Sequence, residues 1–230
     1  MNVTALFTDP GVLDTHTGSL SCDGGSGSTV TANAVAGSGG ASGTCTFSAP
    51  GVYTVSMTVN DDDGGADTET ASTYIVVYDP SAGFVTGGGW INSPLGAYEE
   101  DPGLTGKASF GFVSKYHKGA TTPSGNTQFQ FHSASLDFHG DSYQWLVIAG
   151  SRAQYKRIGS INGRLGSFGF LVTAIDGQMS GGGGVDRFRI KIWDRHSNAI
   201  VYDNQLGSAD DVNTSGAQAL GGGSITIHRR

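Results

Sequence analysis

Lysine and arginine are missing from the first 80 residues of this chain, which hold nine acids; all 13 basic residues come later, where they face 11 acids. The two stretches therefore carry −9 and +2, which together make the −7 of the whole. An acidic leading stretch repels a phosphate backbone and no basic run stands out afterwards, so nucleic acid is excluded as a partner. Long apolar runs are also lacking. Nothing approaches ~18 consecutive apolar residues, so no membrane insertion is expected. No basic and then apolar leader follows Met1, and the chain reads as a fragment of a longer secreted protein whose native start lies upstream.

Cysteine is scarce, with only Cys22 and Cys45, and both lie in the lysine-free stretch. Two thiolates without nearby histidines make a poor zinc cage, so the pair is expected to form one disulfide, which places the chain in an oxidising, extracellular setting. Catalytic motifs are lacking too. The glycines of FVTGGGWI at 84 to 91 are followed by neither Gly-Lys-Ser/Thr nor a helix, so they are no phosphate loop. There is no Gly-x-Ser-x-Gly elbow, and paired cysteines leave no thiolate nucleophile.

What is abundant is glycine, 38 of 230 residues, with no collagen-like period and with 10% aromatics. Glycine here marks turns between short alternating runs, and no sustained 3.6-residue period argues for a long helix, so the fold class is all-β. The clearest run is APGVYTVSMTVNDDDGG at 49 to 65. Tyr53, Val55, Met57 and Val59 fall on one face and Val52, Thr54, Ser56 and Thr58 on the other, the period of a strand with one face buried. Pro50-Gly51 and Asp62-Asp63-Gly64-Gly65 supply the turns at its ends.

Residues 1–80 yield about six or seven strands: Val3 to Phe7, Ser19 to Cys22, Thr29 to Val35, Thr44 to Phe47, Val52 to Val59 and Thr70 to Tyr78. That is the count of an immunoglobulin-like sandwich. FTDPG at 7 to 11, FSAPGVYTVSMTV at 47 to 59 and NDDDGG at 60 to 65 resemble the PKD-type family of extracellular immunoglobulin-like domains. Ser21-Cys22-Asp23-Gly24-Gly25 stands where that family usually carries a WGDG-like motif. The resemblance implies a spacer, adhesion or accessory role. The acids Asp9, Asp61, Asp62 and Asp63 admit two readings, with Asp14 in a loop near Asp9. They form a calcium site, as in some PKD-like domains, or a solvated turn whose side chains cap their own backbone.

After the turn-forming Tyr78 to Gly83, residues 84–230 yield nine or ten strands, the pattern of a larger antiparallel sandwich or jelly-roll-like module. In DRFRIKIWD at 186 to 194, Phe188, Ile190 and Ile192 face one way while Arg189, Lys191 and Trp193 face the other. Together with FVTGGGWINSP at 84 to 94, GKASFGFVSKYHKGA at 106 to 120, FQFHSASLDFHGDSYQWLVIAG at 129 to 150 and QYKRIGSING at 154 to 163, this run resembles a module found at the C-terminal ends of large secreted bacterial proteins, often after PKD-like repeats. That resemblance supplies context and no mechanism.

His117, His132 and His139 suggest either a metal or surface histidines. Asp137, Asp141, Asp176, Asp186 and Asp194 offer carboxylates, but their spacing singles out no pair for glycoside hydrolysis. Polysaccharide binding is better motivated, because sugar faces stack on aromatic rings while hydroxyls pair with polar side chains. The candidates are Trp193, Tyr116, Tyr143, Tyr155 and Arg189, whereas Trp90 and Trp145 are expected in the core. The expected function is thus a non-catalytic adhesion or accessory module of an extracellular protein that binds polysaccharide or another surface polymer, with calcium as a cofactor of the first domain. Two alternatives stand beside it: head-to-tail self-association of the oppositely charged halves into a filament or surface layer, and a metal-dependent hydrolase acting on extracellular polymers.

Overall fold

A computed structural model describes every residue except Val12, Ala36 and Arg230. Strands make up 58% of the chain, and all their pairings are antiparallel, as the alternating runs predict. The only helical element among the described residues is one 3₁₀ turn, His132–Ala134, so no helix long enough to cross a membrane is present there. The chain forms two compact units, Met1–Val77 and Tyr78–Arg230.

The first unit contains β1 (Asn2–Thr8), β2 (His16–Cys22), β3 (Ser26–Gly27), β4 (Thr31–Val35), β5 (Ser38–Thr46), β6 (Gly51–Tyr53), β7 (Val55–Asp61), β8 (Ala66–Thr70) and β9 (Ile75–Val77). Strand β5 pairs with β1 on one side and with β4 and then β3 on the other, and a second sheet runs β2-β7-β8. The run expected as a single strand from Val52 to Val59 breaks at Thr54. Gly51–Tyr53 pairs with β9 whereas Val55–Asp61 lies between β2 and β8, so one length of chain serves two sheets. Beyond the break the expected alternation holds: Val55 and Met57 are buried, and Ser56 and Thr58 are partly exposed.

Cys22 on β2 and Cys45 on β5 form a disulfide with a Cα–Cα distance of 5.8 Å, which joins the two sheets. The core around it is small. Only Val55 is fully buried with the two sulfurs, and Val3, Leu20, Phe47 and Ile75 pack on them from the sides.

The second unit is a ten-stranded sheet built from β10 (Phe84–Ser93), β11 (Gly106–Lys115), β12 (Ser124–Phe131), β13 (Leu136–Ala149), β14 (Arg152–Ile161), β15 (Phe168–Ile175), β16 (Arg187–Asp194), β17 (Ile200–Asp203), β18 (Gln218–Ala219) and β19 (Gly222–His228). Its order is β17-β16-β15-β14-β13-β12-β11-β10-β19, with β18 beside β16, so nearly every strand pairs with its sequence neighbour. This meander needs only short connections.

The sheet curls on itself. Strands β11 and β16 are five spacings apart, roughly 24 Å if the sheet were flat, yet the Phe110 and Phe188 rings stack 3.9 Å apart. Tyr202 of β17 likewise meets Phe129 of β12 at 4.7 Å. The inward residues of both halves form a single core.

Two buried carboxylates finish the closure. Asp186 accepts the Ile225 N–H at 2.8 Å and Asp176 accepts the Ile227 N–H at 2.9 Å, so donors on the free edge of β19 that would otherwise lack ladder partners are satisfied. Each acid also accepts an N–H of its own loop, Gly177 for Asp186 and Gln178 for Asp176.

Candidate functional site

Along β14, Ala153, Tyr155 and Ile161 belong to the core and Arg157 turns inward with them, while Lys156 and Ile158 face the other side of the sheet. Register then assembles the outer face from neighbouring strands. Trp145, Lys156, Leu171 and Lys191 form one row across β13 to β16, and Ile158, Gly169 and Trp193 form the next.

In that second row Trp193 is only partly buried. A Cβ at Gly169 would collide with the indole, so the ring lies directly against the backbone of β15. Glycine inside a strand otherwise weakens it, and close approach of a large ring is the compensating use. The Lys156 Nζ sits 5.3 Å from the centre of the indole, within range of a cation–π attraction.

A cleft of about 180 Å³ opens at this ring, lined among others by Gln144, Lys156, Ile158, Arg195 and Asn198. Gln144 is there because the β13–β14 register slips between Tyr143 and Trp145, leaving one extra residue on β13. Arg195 and Asn198 arrive on the turn after β16. Its shape is set by Asp194, whose Oδ1 accepts the His196 and Ser197 N–H groups, both at 2.8 Å. Those bonds, Ser197 first, hold the Asp194 carboxyl below its usual range. Asn198 takes a left-handed backbone, φ 59°, which asparagine tolerates better than most residues.

The other four expected ligand-binding residues are corrected by burial. Tyr116, at 2% exposure, is pinned by its hydroxyl, which accepts the Leu146 N–H at 3.1 Å; burial pushes its pKa up to about 12. Tyr143 donates to the Val113 carbonyl at 2.6 Å, and burial likewise raises it to about 12. Tyr155 is fully buried and shares a 3.0 Å hydrogen bond with Thr127. These rings are polar-tipped core residues, which period-two reading does not distinguish from exposed ones.

Arg189 does lie on the outer side with Lys191 and Trp193, but the segment 203–215 covers it. Its guanidinium pairs with Asp203 at 2.7 and 3.0 Å and donates to Ser215 Oγ and the Ala209 carbonyl. Trp90 and Trp145, expected in the core, are partly exposed and stand outside it. Trp90 repeats the arrangement of Trp193: its ring lies on the backbone of Gly221, with Lys107 5.1 Å away.

In the first unit, carboxylate oxygens of Asp9, Asp14 and Asp61 lie within 4.8 Å of one another. Asp9 accepts Gly11 N–H at 2.7 Å and faces His16 Nε2 at 2.8 Å, while Asp61 accepts Gly65 N–H at 2.6 Å. Asp62 instead accepts Thr15 N–H at 2.9 Å, and Asp63 is exposed on the turn. Asp14 is held above its ordinary range by burial and then by the negative charge of Asp9, Asp63, Asp62 and Asp61. Alongside, a depression of about 470 Å³ is lined by Asp9, Asp61, Leu6, Phe7 and His16.

No such cluster of acids, histidines or cysteines is found around His117, His132 or His139 among the described residues. His139 sits 3.1 Å from Asp137, which Gln130 and Asn162 also bond. No family model, curated protein or solved structure matches the chain.

Proposed function

We propose that the chain is a non-catalytic module of an extracellular protein, in which a PKD-type first unit supports a second unit that binds polysaccharide on its outer face. The observation that carries this reading is Trp193, a partly exposed indole braced flat against Gly169 at the floor of a cleft rimmed by amide and cationic side chains. A braced ring loses little conformational freedom on binding and offers the apolar face on which a pyranose stacks, while Gln144 and Asn198 supply donors and acceptors for its hydroxyls. The inter-sheet disulfide of the first unit fits an oxidising compartment.

Affinity electrophoresis in gels cast with soluble polysaccharides tests this. Trp193→Ala lowers affinity at least about thirtyfold, the effect of losing a ~2 kcal/mol aromatic anchor. Trp90→Ala, which removes a ring seated in the same way outside the cleft, leaves affinity unchanged. Retention of Trp193→Ala equal to the wild type sinks the site.

Calcium completes the reading as a stiffener of the first unit. Asp9, Asp14 and Asp61 fit a hard oxygen-seeking cation: three carboxylates crowd together, and Asp14 is the one whose charge the others disfavour, a penalty that a dication at their centre relieves. With a dissociation constant typical of extracellular modules, about 5 mM calcium raises the stability of the first unit by about 1–2 kcal/mol. Calorimetry of wild type and Asp14→Asn, with and without the ion, measures it. An equal response in both proteins removes the site.

A further inference from the structure

We infer that the Trp193 cleft selects an acidic sugar, one bearing a carboxylate or a sulfate, over a neutral one; this rests on the polysaccharide reading and adds the class of ligand. The lining contains Lys156, Arg157 and Arg195 and no acid. Carboxylates close by in the chain are spent or stand outside. Asp194 is committed to its own turn, Asp210 is paired with Lys191 at 2.6 Å and with Arg189, and Asp141 on β13 does not line the cleft.

The cations are left with neutral company. The polar partner found for Arg195 is the Ser167 hydroxyl at 3.3 Å. Lys156 leans over the indole and enters no ion pair among the described residues.

Arg157, the third cation of the lining, does not reach into the cleft. It is 2% exposed, and its guanidinium is turned inward over the Tyr143 ring. Its hydrogen bonds go to neutral oxygens of Thr127 and Gly125, and its Nε has no partner. Burial, the largest influence, lowers its pKa to about 10, so it stays protonated at neutral pH. Its charge is thus held on the core side of the sheet, where Asp141 acts on it, and it makes no contact of its own with a ligand on the outer face. Lys156 and Arg195, which line the cleft, are the groups that reach the anion directly, while Trp193 takes the ring to which it is attached.

The test uses the whole chain in affinity electrophoresis against three soluble polymers: polygalacturonate, dextran sulfate and unmodified dextran. An acidic polymer retards the wild type, and the effect weakens as salt is raised. Lys156→Gln and Arg195→Gln, substitutions at accessible positions, each lower that affinity about tenfold, as for loss of one hydrogen bond to a charged group. Trp193→Ala abolishes it, and Trp90→Ala leaves it intact.

Retardation by polygalacturonate identifies the anion as carboxylate, and retardation by dextran sulfate alone identifies it as sulfate. Equal retardation by dextran, insensitive to Lys156→Gln and Arg195→Gln but lost in Trp193→Ala, overturns the acidic preference and leaves the polysaccharide reading standing. Acidic retardation that survives all three cleft substitutions also overturns it, because net charge then suffices. Absence of retardation in every gel overturns both.

Discussion

Arg189→Ala lowers the unfolding free energy of the second unit by about 3–5 kcal/mol, the cost of leaving one member of a buried ion pair without its partner. The pair is between Arg189 and Asp203, each 1% exposed, and the guanidinium grips both carboxylate oxygens in the fork geometry that makes such pairs strong. The same guanidinium donates to the Ala209 and Ser208 carbonyls and to Ser215, so alanine also frees the segment that covers this part of the sheet. All three tryptophans, at 90, 145 and 193, belong to the second unit. Tryptophan fluorescence during urea unfolding therefore reports that unit alone. The double variant Arg189→Met, Asp203→Leu costs less than the single one, because removing both members of the pair leaves neither charge buried without its partner. A single variant within 1 kcal/mol of the wild type refutes the assignment.

Replacing Cys22 and Cys45 by alanine removes about 3 kcal/mol from the first unit. The link closes a sequence separation of 23 residues, and loss of that constraint enlarges the unfolded ensemble. The effect is severe because of size: the sulfurs and Val55 are the buried members of the cluster around the bridge, so the bridge removed is also the centre of that packing. A domain of this length has little stability in reserve. Limited proteolysis of the oxidised and alanine forms measures the outcome. Cleavage concentrates within residues 1–77 of the alanine form, while its tryptophan transition is unmoved. Equal protease resistance in the two forms counts against the bridge as the main support.

Much of the architecture was legible because strand periodicity is a local property. FRIKIWD alternates in the sequence and alternates in the sheet, with Phe188, Ile190 and Ile192 inside the core and Lys191 and Trp193 outside. Through His139 to Ser142 the chain runs on as the single strand β13, because bulges absorb a stretch of polar residues and glycine that reads locally as a turn. The backbone under the Trp90 ring belongs to Gly221, more than a hundred residues away along the chain.

The site was less legible for the same physical reason. Gly169 opposite Trp193 offers one readable signal, a lone glycine in the otherwise bulky FGFLV strand, but the partner ring is set by register. Gln144, Lys156, Arg195 and Asn198 come from three separate stretches and meet only once the strands pair. The fate of Arg189 shows the limit best. Alternation correctly placed it on the outer side, and nothing in its neighbours foretold that residues 203–215 fold over it.

By itself, then, the sequence determined the all-β class, the paired cysteines, the uneven distribution of charge and the alternation of regular runs such as FRIKIWD, since all of these depend on composition or on nearest neighbours along the chain. Only the tertiary structure decided the curl of the sheet, the covering of Arg189, the closure of the β19 edge by Asp176 and Asp186, and the exposure of Trp193 beside Lys156 and Arg195. Those depend on which distant segments come to lie against one another, and burial is a property of that assembly rather than of any residue in it.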